Sequence, residues 1–240
     1  GGAHGIAGLV SLAGCTKVVG PGNRWVAAAK HLVSGLVSVD MPAGPSEVLV
    51  LAAAGAEPAR IAADLLAQAE HDPDAICVLF TDRRELAEAS AAEVDRQLEG
   101  LPTAATARAS LASNGFALVF PTLDAAAKEG VAFAAEHVEL MGRAAERHAA
   151  RFVATSGAVF VGSGTPTAFG DYVAGPNHVL PTGGAARSFS GLSVRDFLRW
   201  GRSVEVPASA ARRLGPAAAT LARFEGLEAH ARSLDLRSGR

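Results

Sequence analysis

Four short apolar runs punctuate the chain: "SEVLVLA" (46–52), "AICVLF" (75–80), "FALVF" (116–120) and "AVFVG" (158–162). Each is near-continuous rather than alternating, so each predicts a strand buried on both faces, as in a parallel sheet covered by helices. Between them, apolar residues at three- and four-residue intervals predict helices over 58–70, 84–98 and 123–128. Pro58 suits a first helical position, where its missing N–H costs nothing. This alternation argues for a parallel α/β sheet. The first forty-odd residues carry another such unit: a helix near Ala7, a strand around "TKVVG", the turn "GPGN" and a helix over 24–33. After the Gly/Ser/Thr-rich "PTGGAARSFSGLS" only helical patterns follow, over 194–200 and 208–231, a tail too small to fold alone.

With 240 residues, 49% of them hydrophobic, and a mean hydropathy of +0.22, the chain can bury a substantial core. The formal charge is −2 and the 22 basic residues are scattered, which leaves no electrostatic footprint for nucleic acid or an anionic membrane. No apolar run reaches the roughly 18 residues of a membrane span, and no basic segment followed by an apolar one opens the chain. Cys15 and Cys77 stand far apart without CxxC spacing, a usage that fits a reducing cytoplasm. The opening "GGAHGIAGLV" lacks Met and enters an apolar segment without a cap, which reads as part of a longer protein.

Polar residues cluster where an apolar pattern should continue. In "LLAQAEHDP", helical geometry puts Gln68 and Asp72 on the stripe of Ile61 and Leu65, with His71 beside them. An amide and an imidazole three residues apart could ligate a metal through oxygen and nitrogen, or His71 could simply complement the helix dipole. "AAEHVEL" sets Glu136 beside His137 in an apolar segment, where an acid and an imidazole without partners would be costly. At a turn or strand end both could border one cleft and exchange protons near neutral pH; a solvated loop pair is the plain alternative. "GDYVAGPNHVLPTGG" holds Asp171, Asn177 and His178 among six glycines and prolines in fifteen residues, a loop chemistry suited to presenting functional groups. Glu225 and His230 are five apart, a poor spacing for one small ligand, and read alone as surface residues of an amphipathic helix. The "GPGN" turn could bring backbone amides to a phosphate, although it lacks a full GxGxxG.

Taken together and in order, the stretches "VVGPGNRWVAAAKHLV", "VDMPAGPSEVLVLA", "AADLLAQAEHDPDA", "AAEHVEL", "GDYVAGPNHVLPTGGAARSFSGLSVRDFL" and "LGPAAATLARFEGLEAHARSLDLR" closely resemble histidinol dehydrogenase, from Gly1 to Arg237. The resemblance implies an α/β, parallel-sheet fold of incomplete Rossmann-like domains with a small C-terminal helical tail. It divides the chain into the end of an NAD-binding domain (1–44), a zinc and catalytic domain (45–192) and a dimerisation tail (193–240). It implies Gln68, His71, Asp171 and His230 as zinc ligands, with His230 supplied by the swapped tail of a homodimer partner. Glu136 and His137 match the catalytic pair. Ser46, His178 and Glu225 match substrate contacts, and His137 and the four zinc ligands also face the substrate. Asn23 matches an NAD-binding position, and His4 stands in "GGAHGIA" where the family has an NAD-binding Gln.

The implied reaction oxidises L-histidinol through L-histidinal to L-histidine with two NAD in succession, the last step of histidine biosynthesis. A sibling enzyme acting on another small polar alcohol, and a catalytically silent metal-binding or dimerising remnant, are the alternative readings.

Overall fold

The computed structural model describes residues 1–41 and 44–239; Pro42 and Ala43, inside "VDMPAGPSE", and Arg240 lie outside them. The chain forms two compact units, Gly1–Asp196 and Phe197–Arg240. In the first, α1 (Gly2–Ser11), β1 (Lys17–Val18), α2 (Arg24–Val33) and β2 (Ser38–Val39) build a two-stranded parallel sheet with its helices. Then follow β3 (Glu47–Ala52), α3 (Pro58–Ala69), β4 (Ile76–Thr81), α4 (Arg84–Leu98), α5 (Ala104–Asn114), β5 (Gly115–Val119), α6 (Leu123–Phe133), β6 (His137–Met141), α7 (Arg143–Glu146), α8 (Ala149–Val153), β7 (Ala158–Val161) and α9 (Thr167–Tyr172). The five strands β3 to β7 pair in parallel in the order β5-β4-β3-β6-β7. The expected α/β architecture with a parallel sheet is what forms.

Strand position explains burial. Central β3 is buried at every residue: Val48, Val50 and Ala52 face the layer of α3, α4 and α5, while Leu49 and Leu51 face that of α6 and α8. β6 obeys the same alternation, with Met141 on the α3 side and Val138 and Leu140 on the α6 side, so His137 and Glu139 also point toward α3. The expectation of burial fails at the sheet's borders. "FALVF" forms edge strand β5, where Phe116, Leu118 and Val119 are about two-fifths exposed, and Val161 on the other edge is exposed too. An edge strand has one neighbour, so an apolar sequence there does not ensure burial.

Helix boundaries differ where local chemistry intervenes. The helix expected over 123–128 runs to Phe133, capped at its start by Thr122, whose hydroxyl accepts the Ala125 N–H, and at its end by Ala134 with φ +57°. The segment 194–200 forms only a 3-10 turn, Val194–Phe197. In the second unit the expected single helix over 208–231 is two, α10 (Ala208–Phe224) and α11 (Glu228–Ser238), because Gly226 takes φ +75° between them. Their hairpin buries Gly215, Ala219, Ala222 and Ala231, with Leu234 packed against the alanines, and Arg223 bridges Glu228 and Asp235. No helix among the described residues is long and apolar enough to cross a membrane.

Candidate active site

A cavity of about 230 Å³ opens at the end of the sheet where β3 and β6 begin. Its walls include Ser46, Gln68, His71, Glu136, His137, Asp171 and His178. Seven of the sequence candidates thus meet, from four separated stretches of chain. Ser46 immediately precedes β3, and Glu136 and His137 straddle the start of β6. Because α3 runs back along the sheet, its C-terminal end returns Gln68 and His71 to the same edge. Open α/β sheets usually bind ligands outside the carboxyl ends of their strands; here the polar groups gather at the amino ends.

Gln68 is buried, as its place on the stripe of Ile61 and Leu65 predicts, but Asp72 is exposed. The helix stops at Ala69, so helical spacing does not carry the stripe to residue 72. His71 lies just beyond the helix, with Nδ1 2.8 Å from the Ala67 carbonyl oxygen. A carbonyl only accepts, so this contact puts the proton on Nδ1 and leaves the Nε2 lone pair free.

Glu136 and His137 are both about 5% exposed, with the carboxylate 3.7 Å from the imidazole Nδ1. His137 Nδ1 is 3.2 Å from both the Glu47 carbonyl oxygen and Gln68 Oε1. Two oxygen acceptors on Nδ1 again hold the proton there and free Nε2. Burial lowers the His137 pKa to about 4 against the opposing attraction of Asp171, so the ring is neutral at physiological pH. Burial pushes Glu136 up to about 8, reinforced by the Glu47 and Asp171 charges and opposed by hydrogen bonds from the Glu47 backbone and Ser46.

Sequence reasoning missed Glu47. It is 4% exposed, and its carboxylate accepts the N–H of Glu136 at 3.2 Å and of Gly183 at 2.8 Å. Its own N–H donates to Glu136 Oε2 at 2.9 Å. A charged residue opening an apolar strand was the available signal.

Other candidates fall elsewhere. Asn23 caps α2, its Oδ1 accepting from Trp25 and Val26 N–H at 3.1 and 3.2 Å. Two of the first amides of α2 are therefore occupied by the chain itself, as is the Gly20 N–H by Asp40 Oδ2, which weakens the expectation that the turn cradles a phosphate. Asn23 lines an adjoining cleft with Gly22, Arg24 and Trp25, which shares Ser46 and His71 with the cavity. His4 is exposed on α1 and lines neither. Glu225 caps the end of α10 and His230 lies on α11, both exposed, so the five-residue spacing was never one helix.

Among the described residues, no group of three or more His, Cys, Asp or Glu is placed to hold a metal ion. The donor set around the cavity still has zinc chemistry: an amide oxygen, an imidazole nitrogen held by its other nitrogen, and a carboxylate. Gln68, His71 and Asp171 also line a second, smaller cleft between α3 and α9.

Comparison with known proteins places the chain in a family. The family model described as histidinol dehydrogenase matches residues 1–238. The chain is 49% identical to the histidinol dehydrogenase of Bradyrhizobium diazoefficiens, across 99% of this chain and 56% of that protein. It is 47% identical to that of Thermus thermophilus, across 99% and 58%. The crystal structure of histidinol dehydrogenase from Elizabethkingia anophelis superposes with a TM-score of 0.91 at 33% identity, covering 99% of this chain and 55% of that one. The chain thus spans little more than half the length of the relatives it matches. From Gly1 to Ser238, by family model, sequence and fold alike, the chain belongs to the histidinol dehydrogenase family.

Proposed function

We propose that this chain is the part of a histidinol dehydrogenase that carries its substrate pocket, acting with zinc and NAD. The observation that carries the reading is His137: a buried, neutral imidazole with Nδ1 facing two oxygens and Nε2 free, beside the buried Glu136 carboxyl.

Gln68, His71 and Asp171 would hold zinc, with His230 of a second copy as the fourth ligand. Bound there, zinc would hold the substrate's nitrogen atoms and fix its orientation. NAD would accept one hydride in each of two oxidations, and Asn23, Arg24 and Trp25 line the cleft beside the pocket that suits it. His4 is assigned to the same cofactor only through its place in "GGAHGIA".

In the first oxidation His137 Nε2 takes the alcohol proton as hydride leaves the carbinol carbon, which gives an aldehyde. In the second, Glu136 in its carboxylate form takes a proton from water as the oxygen adds to that aldehyde, and the second hydride departs to leave a carboxylic acid, which releases its proton to solvent. Ser46 and His178 line the cavity as substrate contacts, and Glu225 is assigned to the substrate only through its place in "FEGLEAHARS". Cys77 is buried, its thiol pushed up to about 12, and neither it nor Cys15 lines the pocket, so the chemistry runs without a thiolate. Both cysteines are free, which suits a reducing cytoplasm.

The second unit supports a swapped homodimer. Its own core is three alanines, while Leu214, Leu221, Phe224 and Leu236 are at least half exposed. Such a hairpin gains stability by burying those side chains against another surface.

The test uses the longest chain encoded in frame with this sequence, assayed for NADH with histidinol and with an amino alcohol lacking imidazole. Activity on histidinol that chelation abolishes and zinc restores supports the reading. Equal turnover of the imidazole-free alcohol favours the sibling enzyme, and no turnover by zinc-loaded protein favours the silent remnant.

A further inference from the structure

Beneath the pocket lies a buried acidic contact that the reaction does not use. Glu139 on β6 is 1% exposed, and its Oε1 accepts the Thr167 N–H at 2.6 Å and the Thr167 hydroxyl at 2.5 Å. Asp64 of α3 faces the same carboxyl, and burial together with that neighbour raises the proton affinity of Glu139. Glu139 Oε2 makes no hydrogen bond of regular geometry among the described residues.

The positions of these three residues repeat those of the pocket. Asp64 is four residues before Gln68 on α3, Thr167 four before Asp171 on α9, and Glu139 two after His137 on the same face of β6. Four helical residues rise about 6 Å, and two strand residues about 6.6 Å. The Asp64, Glu139 and Thr167 layer therefore runs parallel to the Gln68, His137 and Asp171 layer, one step deeper. Helix α9 has six residues and no side-chain cap of its own. At that length it depends on tertiary anchors, and Glu139 supplies the acceptor for its first N–H. An apolar side chain at 139 would be cheaper to bury than a carboxyl facing another carboxyl. Stability alone does not account for the acid.

We propose that Glu139 is a positioning residue: by clasping Thr167 and facing Asp64 it sets α9 against α3, and so fixes Asp171 relative to Gln68 and His71. This rests on the reading that those three side chains bind zinc. The test compares Glu139→Met, Glu139→Gln and the distant core variant Phe152→Leu. Three quantities are read: zinc affinity by chelator competition, amide exchange over 167–172, and the urea midpoint. Glu139→Met is expected to weaken zinc binding by about tenfold or more and to speed exchange in α9. Glu139→Gln keeps an acceptor for Thr167 and should recover affinity to within about threefold of the parent. Phe152→Leu should lower the urea midpoint with zinc affinity and α9 exchange unchanged. Parental affinity and α9 exchange in folded Glu139→Met overturn the proposal. Should that variant not fold, Thr167→Val is read in its place, and unchanged zinc affinity there overturns it equally. A parent chain that binds no zinc counts against the zinc reading instead, and the clasp is then judged on α9 exchange alone.

Discussion

Glu47 and Glu136 hold each other by exchange: each carboxylate accepts the other's backbone N–H, at 2.9 Å and 3.2 Å. The two residues open neighbouring parallel strands, so the exchange locks the entry of β3 to that of β6 and fixes the backbone beside His137. Glu47→Ala leaves the buried Glu136 N–H without an acceptor, at about 1–3 kcal/mol, and also frees the N–H of exposed Gly183, which water can meet. Turnover should fall with stability. Glu47→Gln, which keeps an acceptor oxygen, should retain most of both; a urea titration beside a rate assay separates the two, and a fully active, stable Glu47→Ala contradicts this role.

Gly157 is the backbone counterpart of that lock. A Cβ there would stand 2.6 Å from the Glu136 carbonyl oxygen and 3.0 Å from Leu180 Cβ. Gly157→Ala must therefore displace Glu136 or break the Ala158 N–H bond to that carbonyl. A misplacement of about 1 Å can cost about a hundredfold in rate. Gly164→Ala meets nothing within 4 Å and serves as the neutral control. Equal rates for the two variants would show that Glu136 tolerates the shift.

Stability should depend on pH through the buried acids. Glu139 holds its proton above the ordinary value of 4.5 because burial disfavours the charge and Asp64 lies beside it. The folded chain thus keeps a proton that the unfolded chain releases, so the contribution is complete below 4.5 and is lost as pH rises toward the folded value. The urea midpoint should fall from about pH 5 to about pH 8. Glu139→Gln cannot ionise and should flatten this slope, leaving the part due to Glu136 and Glu47, which are raised in the same direction. Identical slopes in parent and variant would contradict the assignment.

His71→Asn should lose zinc and activity together, since the Nδ1 contact with Ala67 leaves Nε2 as its only free donor. Metal analysis of the purified variant checks this. Parental zinc content with full activity would remove α3 from the site.

Much of this was legible in the sequence, for identifiable reasons. Near-continuous apolar runs mark parallel strands wherever they fall, so "SEVLVLA" and "AICVLF" form the buried parallel strands β3 and β4, as expected. Edge or centre is a matter of strand order, a long-range property, which is why "FALVF" proved exposed. Helix α5 escaped because its Ala- and Ser-rich sequence buries little beyond Ala107 and Ser110 and shows no apolar stripe. Gln68, Glu136 and His137 stood out as polar residues in apolar surroundings. Glu47 and Glu139 satisfy the same description, but their partners lie 89 and 28 residues away, and no local pattern announces such a pairing.

The central claim is that His137 and Glu136 serve two successive oxidations of one alcohol in a zinc-loaded pocket. It is tested most directly by counting NADH against histidinol consumed, in protein with measured zinc and in His137→Asn. Two NADH per histidinol with histidine as product, and a loss of about a hundredfold or more in His137→Asn at unchanged zinc content, are the results expected. No NADH from fully zinc-loaded protein, or a parental rate in His137→Asn, would contradict it.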